Sequence, residues 1–202
     1  MNSLYAALLG QDIQRSLSPR LHRAAARSVG LQARYELVDV APSNLPATLE
    51  RLRVSGMRGW NVTAPYKNTV FDWVTRATPL ANRLGAVNTV VVESNGDAVG
   101  HNTDVMGFRA LLGSWAGKRA VVLGAGGAAA SVVEVLAERN TGVDILNRTE
   151  QGAEALRARL VPRASIFALD DLPERLRDAD LLVNAIGPRI TSLLSGLDLG
   201  VM

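Results

Sequence analysis

The 202-residue chain is 48% hydrophobic and 20% charged, which supports one or two domains with a buried core and excludes a disordered chain. It has no cysteine, which excludes disulfide bonds and thiolate catalysis, and its two histidines do not favour a metal site, so we expect none. The formal net charge is +3 and the basic residues are scattered, so we expect no nucleic-acid partner. Without a membrane-length apolar run or a charged leader, the sequence predicts a cytoplasmic protein that binds no membrane.

Lysine is rare in this chain, because Lys67 and Lys118 are the only lysines among 22 basic residues. An amine can be tuned to exchange a proton, whereas the guanidinium of arginine keeps its charge. In a chain that otherwise uses arginine, a retained lysine indicates a need for lysine chemistry, with chance retention as the alternative.

Strands and helices are predicted to alternate over the N-terminal part of the chain. The pattern predicts strands over residues 5–9 and 35–40 and helices over residues 19–29 and 43–54. This order is typical of an α/β layer with mainly parallel strands.

Two serines precede the first predicted helix. Ser18 fits the N-cap position, with Pro19 at the first helical position and Gly30 beyond the helix end. Capping is one interpretation of Ser18 and ligand binding is the other. Ser16 lies outside the helix, so we expect its hydroxyl to be available to a ligand.

The next group of closely spaced polar residues lies at the end of a short predicted strand. This strand carries Thr63 and ends at Pro65. Lys67 falls in the first turn of the segment that follows, and helices are predicted through residues 71–73 and over 80–84. Polar groups at the carboxyl ends of strands in such a sheet point toward the ligand. Thr63 and Lys67 are therefore candidate site residues.

A strand over residues 85–92 carries Asn88 near its start. A buried amide must find partners, either backbone groups or substrate hydroxyls. The pair Asn95-Gly96 predicts a hairpin turn, with a return strand over 98–100. Thr103 or Asp104 would then cap a helix over 105–115, and for Asp104 capping is the alternative to a role in a site.

From Lys118 onward the pattern becomes a regular β-α-β-α-β-α-β series. Strands are predicted near residues 120–123, 143–146, 165–168 and 180–185. The change of pattern indicates a second domain, so we predict domains over residues 1–104 and 105–202.

The first strand of this series leads into a glycine turn. Gly124 allows the tight turn, Gly126 removes the Cβ that would block a pyrophosphate, and Ala129 lets the following helix approach the strand. Backbone N–H groups at the positive end of the helix dipole would hold the phosphates.

The second strand of the series ends in Asn147, Arg148 and Thr149. An acidic residue here would bind the ribose hydroxyls of NAD, whereas an arginine suits the 2′-phosphate of NADP. Asp144 lies too early in the strand to reach the ribose. We therefore expect Arg148 to contact the phosphate and the cofactor to be NADP, the alternative being a solvated loop arginine.

Six motifs resemble the shikimate dehydrogenase family and occur in the family's order over residues 3–185. They are Ser16-Leu17-Ser18-Pro19, Asn61-Val62-Thr63-x-Pro65-x-Lys67, Gly85-Ala86-Val87-Asn88-Thr89, Gly100-x-Asn102-Thr103-Asp104-x-x-Gly107, Gly124-Ala125-Gly126-Gly127-Ala128 and Asn147-Arg148-Thr149. The resemblance implies an NADP-dependent oxidoreductase that reversibly reduces 3-dehydroshikimate to shikimate by hydride transfer, within chorismate and aromatic amino acid biosynthesis. It implies an α/β fold in which an N-terminal substrate domain precedes a Rossmann-type, doubly wound parallel sheet.

The resemblance also implies roles for individual residues. Lys67 and Asp104 would form the catalytic pair. The substrate would be held by Ser16, Ser18, Thr63, Lys67, Asn88 and Asp104. NADP would be held by Gly124, Ala125, Gly126, Gly127, Ala128, Asn147, Arg148 and Thr149. The sequence leaves open whether Lys67 acts chiefly as a proton donor or as a fixed charge.

The sequence departs from the family pattern in three places. Arg15 stands where a histidine is common, and Ile186-Gly187-Pro188 replaces a threonine-rich turn on the nicotinamide side. The family's usual C-terminal segment is lacking, so we interpret the NADP-binding domain as truncated. Two alternatives therefore stay open, a quinate or amino-shikimate dehydrogenase, and a nucleotide- or shikimate-binding remnant without turnover. The sequence does not predict the oligomeric state.

Overall fold

The structure is a computed structural model that describes residues 3–187, so Pro188 lies outside the described residues. The chain divides into two compact units, Met1–Thr103 and Asp104–Met202. Among the helices within residues 3–187, none is long and apolar enough to cross a membrane.

The first unit is built on a six-stranded mixed sheet in the order β2-β1-β3-β5-β6-β4. Its strands are β1 Ser3–Gly10, β2 Gln32–Asp39, β3 Gly59–Val62, β4 Arg76–Ala77, β5 Thr89–Val92 and β6 Ala98–His101. The prediction of parallel strands is confirmed for β1, β2 and β3. β5 instead runs antiparallel to β3 and β6. The predicted hairpin turn reverses the chain between β5 and β6 at Gly96, whose φ is +87°.

Helices cover both faces of this sheet. They are α1 Ser18–Ser28, α2 Leu45–Arg53, α3 Lys67–Trp73 and α4 Pro79–Leu84. Because side chains alternate along a strand, β1 places Ala7 and Leu9 in the main core and Leu8 in a smaller core with Tyr35. Burial on both faces explains why β1 is an uninterrupted apolar run.

Two predicted helix boundaries are wrong. Helix α1 begins at Ser18 with Leu17 at the N-cap, and no side chain caps it, so Ser18 is not the cap. The helix predicted over 105–115 is α5, Asp104–Leu112, because Gly113 takes a left-handed φ of +52° and ends it. Asp104 is therefore the first residue of α5.

The second unit contains a four-stranded parallel sheet in the order β10-β7-β8-β9. Its strands are β7 Arg119–Leu123, β8 Gly142–Leu146, β9 Ser165–Phe167 and β10 Leu181–Asn184, and its further helices are α6 Gly127–Glu138, α7 Glu150–Leu160 and α8 Leu172–Leu176. All four predicted strands are confirmed within a few residues. Strand order reverses beside β7, and ligands of doubly wound sheets bind at the carboxyl ends of strands at such a point.

Candidate functional site

The segments that follow β1 and β3 are joined at the carboxyl end of the first sheet. The N–H of Thr63 donates to the carbonyl of Leu9 at 2.9 Å. A Cβ at Gly10 would lie 2.6 Å from Cγ2 of Thr63 and 2.7 Å from Cγ2 of Ile13. Glycine is therefore required at position 10 to let the loop lie against Thr63, a requirement that the sequence analysis missed.

Ser16 and Ser18 lie side by side at the start of α1, and both are half-buried. The Ser16 hydroxyl donates to Oγ of Ser18 at 3.1 Å, and its Oγ accepts from the Ser18 N–H at 3.2 Å. The Ser16 hydroxyl thus bonds the first turn of the helix, and its availability to a ligand stays a prediction. The two hydroxyls form a pair that a ligand carboxylate or hydroxyl can contact together.

Asp39, at the end of β2, holds the loop that leads to Ser16. Its carboxylate accepts from the backbone N–H groups of Asp12 and Ile13 at 2.9 and 3.2 Å. The side-chain amide of Gln14 donates to the same carboxylate at 3.1 Å. Asp39 is not predictable from the sequence, because no local pattern marks a contact across 25 or more residues.

Lys67 is the first residue of α3, as predicted, and its side chain is half-buried. Its backbone carbonyl accepts from the N–H of Val87 at 2.9 Å, and the side chain of Asn68 donates to the carbonyl of Gly85 at 2.7 Å. These bonds bring the Lys67 segment together with the segment that carries Asn88.

Asn88 is 7% exposed and directly precedes β5. Its Oδ1 accepts from the N–H of Thr103 and from the hydroxyl of Thr89, both at 2.9 Å. Its Nδ2 donates to Oγ1 of Thr103 at 3.0 Å. The buried amide is thus oriented by the residue that directly precedes Asp104 in the chain.

A polar row crosses the sheet toward Asn88, and the sequence analysis missed it. The Tyr35 hydroxyl donates to Oδ1 of Asn61 at 2.7 Å. The Nδ2 of Asn61 donates in turn to Oγ1 of Thr89 at 3.0 Å, across the register that pairs these two residues. Burial raises the pKa of Tyr35 to about 12.

The glycine turn of the second unit lies between β7 and α6. Gly124 has a φ of +101° and donates its N–H to the carbonyl of Leu146 at 2.8 Å. A Cβ there would lie 3.3 Å from the carbonyl carbon of Ala185, so glycine is required by conformation and by space. Gly126, by contrast, is exposed at the N-cap of α6, where a Cβ would meet nothing within 4 Å.

The first turn of α6 has no side-chain cap. Helix N-termini present unsatisfied N–H groups and a partial positive charge, which suit a phosphate. Gly127 and Ala128 begin this turn directly behind the open space at Gly126. The residues fit a pyrophosphate, because the N–H groups and the room for it occur together.

The loop after β8 is a neighbour of this turn. A Cβ added at Gly152 would lie 3.9 Å from the Cβ of Ala125 and 3.0 Å from Nδ2 of Asn147. Asn147 donates to the carbonyl of Thr149 at 2.9 Å, which shapes the loop and leaves Arg148 exposed. The structure thus brings the two predicted cofactor motifs together, and the lack of a Cβ at Gly152 leaves room for the Asn147 side chain.

Asp144 has a structural partner within the second unit. It is 7% exposed, and its carboxylate accepts from Nη2 of Arg119 at 2.7 Å. The bond raises the pKa of Arg119. Asp144 is committed to this pair, which agrees with the interpretation that it does not serve the cofactor ribose.

Comparison with known proteins gives consistent matches over both units. Residues 8–90 match the shikimate dehydrogenase substrate binding domain, and residues 108–193 match the shikimate / quinate 5-dehydrogenase family. The shikimate dehydrogenase (NADP(+)) of Natronomonas pharaonis is 44% identical over 181 residues, which cover 88% of this chain and 67% of that protein. The chain spans about two thirds of the length of the curated relatives it matches.

Solved structures agree with these sequence matches. Shikimate 5-dehydrogenase from Thermus thermophilus, in complex with NADP(H) and shikimate, superposes with a TM-score of 0.77 and 38% identity, covering 90% of this chain and 68% of that one. Quinate dehydrogenase from Corynebacterium glutamicum, in complex with NAD, gives 0.77 and 27% identity, covering 91% and 71%. By its two family matches, its sequence identity and its fold, the chain belongs to the shikimate dehydrogenase family.

Proposed function

We propose that this chain is an NADP-dependent shikimate dehydrogenase that reversibly reduces 3-dehydroshikimate to shikimate. The observation that carries the proposal is the grouping of the family's substrate motifs in the first unit. Backbone and side-chain hydrogen bonds join the segments of Thr63, Lys67, Asn88 and Thr103 at one end of one sheet. On this proposal the predicted domain over 1–104 binds the substrate and the domain over 105–202 binds NADP.

The substrate offers one carboxylate and several hydroxyls, and the chain up to Asp104 offers matching groups. We assign the paired hydroxyls of Ser16 and Ser18, with Thr63, to hydrogen bonds with these groups. Asn88 would add its oriented amide, and Asp104 a carboxylate that accepts from a hydroxyl. Hydrogen bonds from these hydroxyls and from the amide, with Asp104 as an acceptor, depend on the direction of each substrate hydroxyl. They therefore suit discrimination between similar hydroxylated rings.

Reduction of a ketone requires a proton at the oxygen as negative charge develops there. When bound, NADPH supplies the hydride for the carbonyl carbon. Lys67 would donate a proton to the carbonyl oxygen and take it back in the reverse direction. Asp104 would orient the amine and the substrate hydroxyl. Lys67 is suited to this role because an ammonium group can release a proton and a guanidinium cannot.

For the cofactor, we assign the backbone of Gly124, Ala125, Gly126, Gly127 and Ala128 to the pyrophosphate, and Asn147, Arg148 and Thr149 to the adenosine end. The uncapped start of α6 and the open space at Gly126 support this assignment. Arg148 is exposed and has no ion pair among the described residues, so its guanidinium can donate hydrogen bonds to a 2′-phosphate.

Arg148→Ala tests the preference for NADP. Loss of a hydrogen bond to a charged group lowers binding affinity by about tenfold to hundredfold. Because the site is exposed, solvent screening places the expected loss at the lower end of this range. We expect NADPH affinity to fall about tenfold and NADH affinity to stay the same, both measured by calorimetry. Arg163→Ala, at another exposed arginine of the second unit, is the control and should change neither.

A turnover assay beside calorimetry tests the function itself. We expect the chain to bind NADPH and shikimate and to oxidise shikimate with NADP. Binding without turnover would identify a remnant, and faster turnover of quinate or an amino analogue with NAD would identify the related dehydrogenase. The quinate alternative is retained because the second family match includes quinate 5-dehydrogenases. We also propose a cytoplasmic location, which fits a chain without cysteine.

A further inference from the structure

We propose that the Tyr35 hydroxyl is a positioning group for substrate binding, which acts through Asn61 and Thr89 to fix the Asn88 side chain. The proposal rests on the proposed function in one respect, the assignment of Asn88 to the substrate. Tyr35 lies on β2, two strands away from β3 in the sheet order, so its hydroxyl reaches across β1.

The four side chains form a row of hydrogen bonds with one direction. Tyr35 donates to Oδ1 of Asn61 at 2.7 Å, and Nδ2 of Asn61 donates to Oγ1 of Thr89 at 3.0 Å. The hydroxyl of Thr89 then donates to Oδ1 of Asn88 at 2.9 Å. All of these residues belong to the first unit.

The direction of the row is set by the N–H of Thr103, which can only donate and so fixes Oδ1 of Asn88 as the acceptor that the Thr89 hydroxyl faces. At the other end, Tyr35 is placed to act as a donor. A phenol buried to 5% exposure, with a pKa raised to about 12, stays protonated and donates its single hydrogen. This bond requires Oδ1 of Asn61 to face Tyr35, so Nδ2 faces Thr89. Because Thr89 Oγ1 already accepts that bond, its own hydrogen turns toward Asn88.

Two further contacts give the row its rigidity. His22 of α1 stacks flat on the Tyr35 ring, with centroids 4.2 Å apart and an interplanar angle of 6°. At the other end, the N–H of Thr103 donates to the same Oδ1 of Asn88 at 2.9 Å. Asn88 is thus held from two sides with two donors at its Oδ1, so it presents Nδ2 rather than Oδ1 to any further partner. A substrate hydroxyl would meet it as an acceptor.

Tyr35→Phe removes one oxygen and retains the ring that stacks on His22. Asn61 then loses its donor and its amide can turn, which releases the Thr89 hydrogen from Asn88. Loss of one hydrogen bond on one side of Asn88 predicts a rise of about threefold to tenfold in KM for shikimate. We expect kcat to change less than KM, and NADPH affinity to stay constant.

Asn61→Asp is a second variant with nearly the same shape and a different prediction. The carboxylate accepts from both Tyr35 and Thr89, so the Thr89 hydrogen turns away from Asn88 while the Tyr35 bond survives. We expect KM for shikimate to rise at least as far as in Tyr35→Phe. Adding Tyr35→Phe to Asn61→Asp should then change KM little, whereas independent effects would multiply and contradict the row.

Tyr5→Phe is the matched control. The Tyr5 hydroxyl also donates to a side-chain oxygen, Oε2 of Glu36 at 3.0 Å, in the same sheet but outside the row. It should leave KM for shikimate within about twofold of the parent, because its bond reaches no member of the row and effects at separate sites are independent.

Hydrogen exchange of the Thr103 amide tests the row independently of activity. This N–H is held by Oδ1 of Asn88, so loosening Asn88 should speed its exchange in Tyr35→Phe and not in Tyr5→Phe. Unchanged exchange together with an unchanged KM would overturn the proposal. Faster exchange in a protein that neither binds nor turns over shikimate would keep the row and reject the proposed function.

Discussion

Lys67→Ala is expected to lower turnover of shikimate by at least about 10²–10⁴-fold, the usual worth of general acid–base help. NADPH affinity should stay nearly unchanged, because Lys67 lies at the start of α3 in the first unit and the cofactor motifs lie in the second. Steady-state turnover and NADPH calorimetry on the same preparations measure the two effects. Equal losses of turnover and NADPH affinity would count against the role of Lys67.

Lys67→Arg decides how Lys67 acts. Arginine keeps the positive charge but does not exchange a proton near neutral pH. A variant as impaired as Lys67→Ala would identify proton transfer as the role of the amine, whereas substantial recovery of turnover would identify a fixed charge. Lys118→Arg, at the other lysine of the chain and exposed ahead of β7, is the matched control and should retain full turnover.

The fold of the second unit is the part of the structure that the sequence predicts best. The first three strands there are short apolar runs that a helix follows, and all four strands occur where the apolar pattern predicts them. A parallel sheet with helices between its strands has a short list of possible orders, and a glycine turn after its first strand marks the ligand end. Local pattern and global fold therefore agree, which makes this unit readable from sequence.

The first unit contains side-chain contacts that the sequence does not predict. The position of Lys67 at the start of α3 was predictable, because Pro65 ends a strand shortly before it. The bond between Tyr35 and Asn61 was not, since it joins residues 26 positions apart across an intervening strand. Strand order decides which side chains meet, and the antiparallel placement of β5 beside β3 brings Thr89 opposite Asn61.

Helix starts and close approaches were also beyond local pattern. Ser18 has every sequence attribute of an N-cap, yet the bond at the start of α1 comes from Ser16, because the preceding loop is held by Asp39. Gly10 resembles an ordinary turn glycine until the segment of Thr63 that lies against it is known. Whether a glycine serves flexibility or close approach depends on a neighbour that the local sequence does not identify.

Gly126→Ala is expected to separate cofactor binding from stability. The backbone φ of Gly126 is −84°, and an added Cβ would meet nothing within 4 Å, so the folded chain accepts alanine without strain. Alanine gains about 0.4–1 kcal/mol by restricting the unfolded chain. Alanine is also a poorer N-cap residue than glycine, which lowers the stability of the folded chain by about the same free energy. We therefore expect Tm to change little.

NADPH affinity should nevertheless fall at least about tenfold in Gly126→Ala, because the new methyl group enters the space where the pyrophosphate would approach the helix. Gly126→Ser extends the test, since serine caps helices well and should raise Tm while it also weakens NADPH binding. Gly124→Ala should behave differently and lower both, because its φ of +101° strains any residue with a Cβ. Calorimetry and thermal melts on the three variants distinguish these outcomes, and unchanged NADPH affinity in Gly126→Ala would place the phosphate away from this turn.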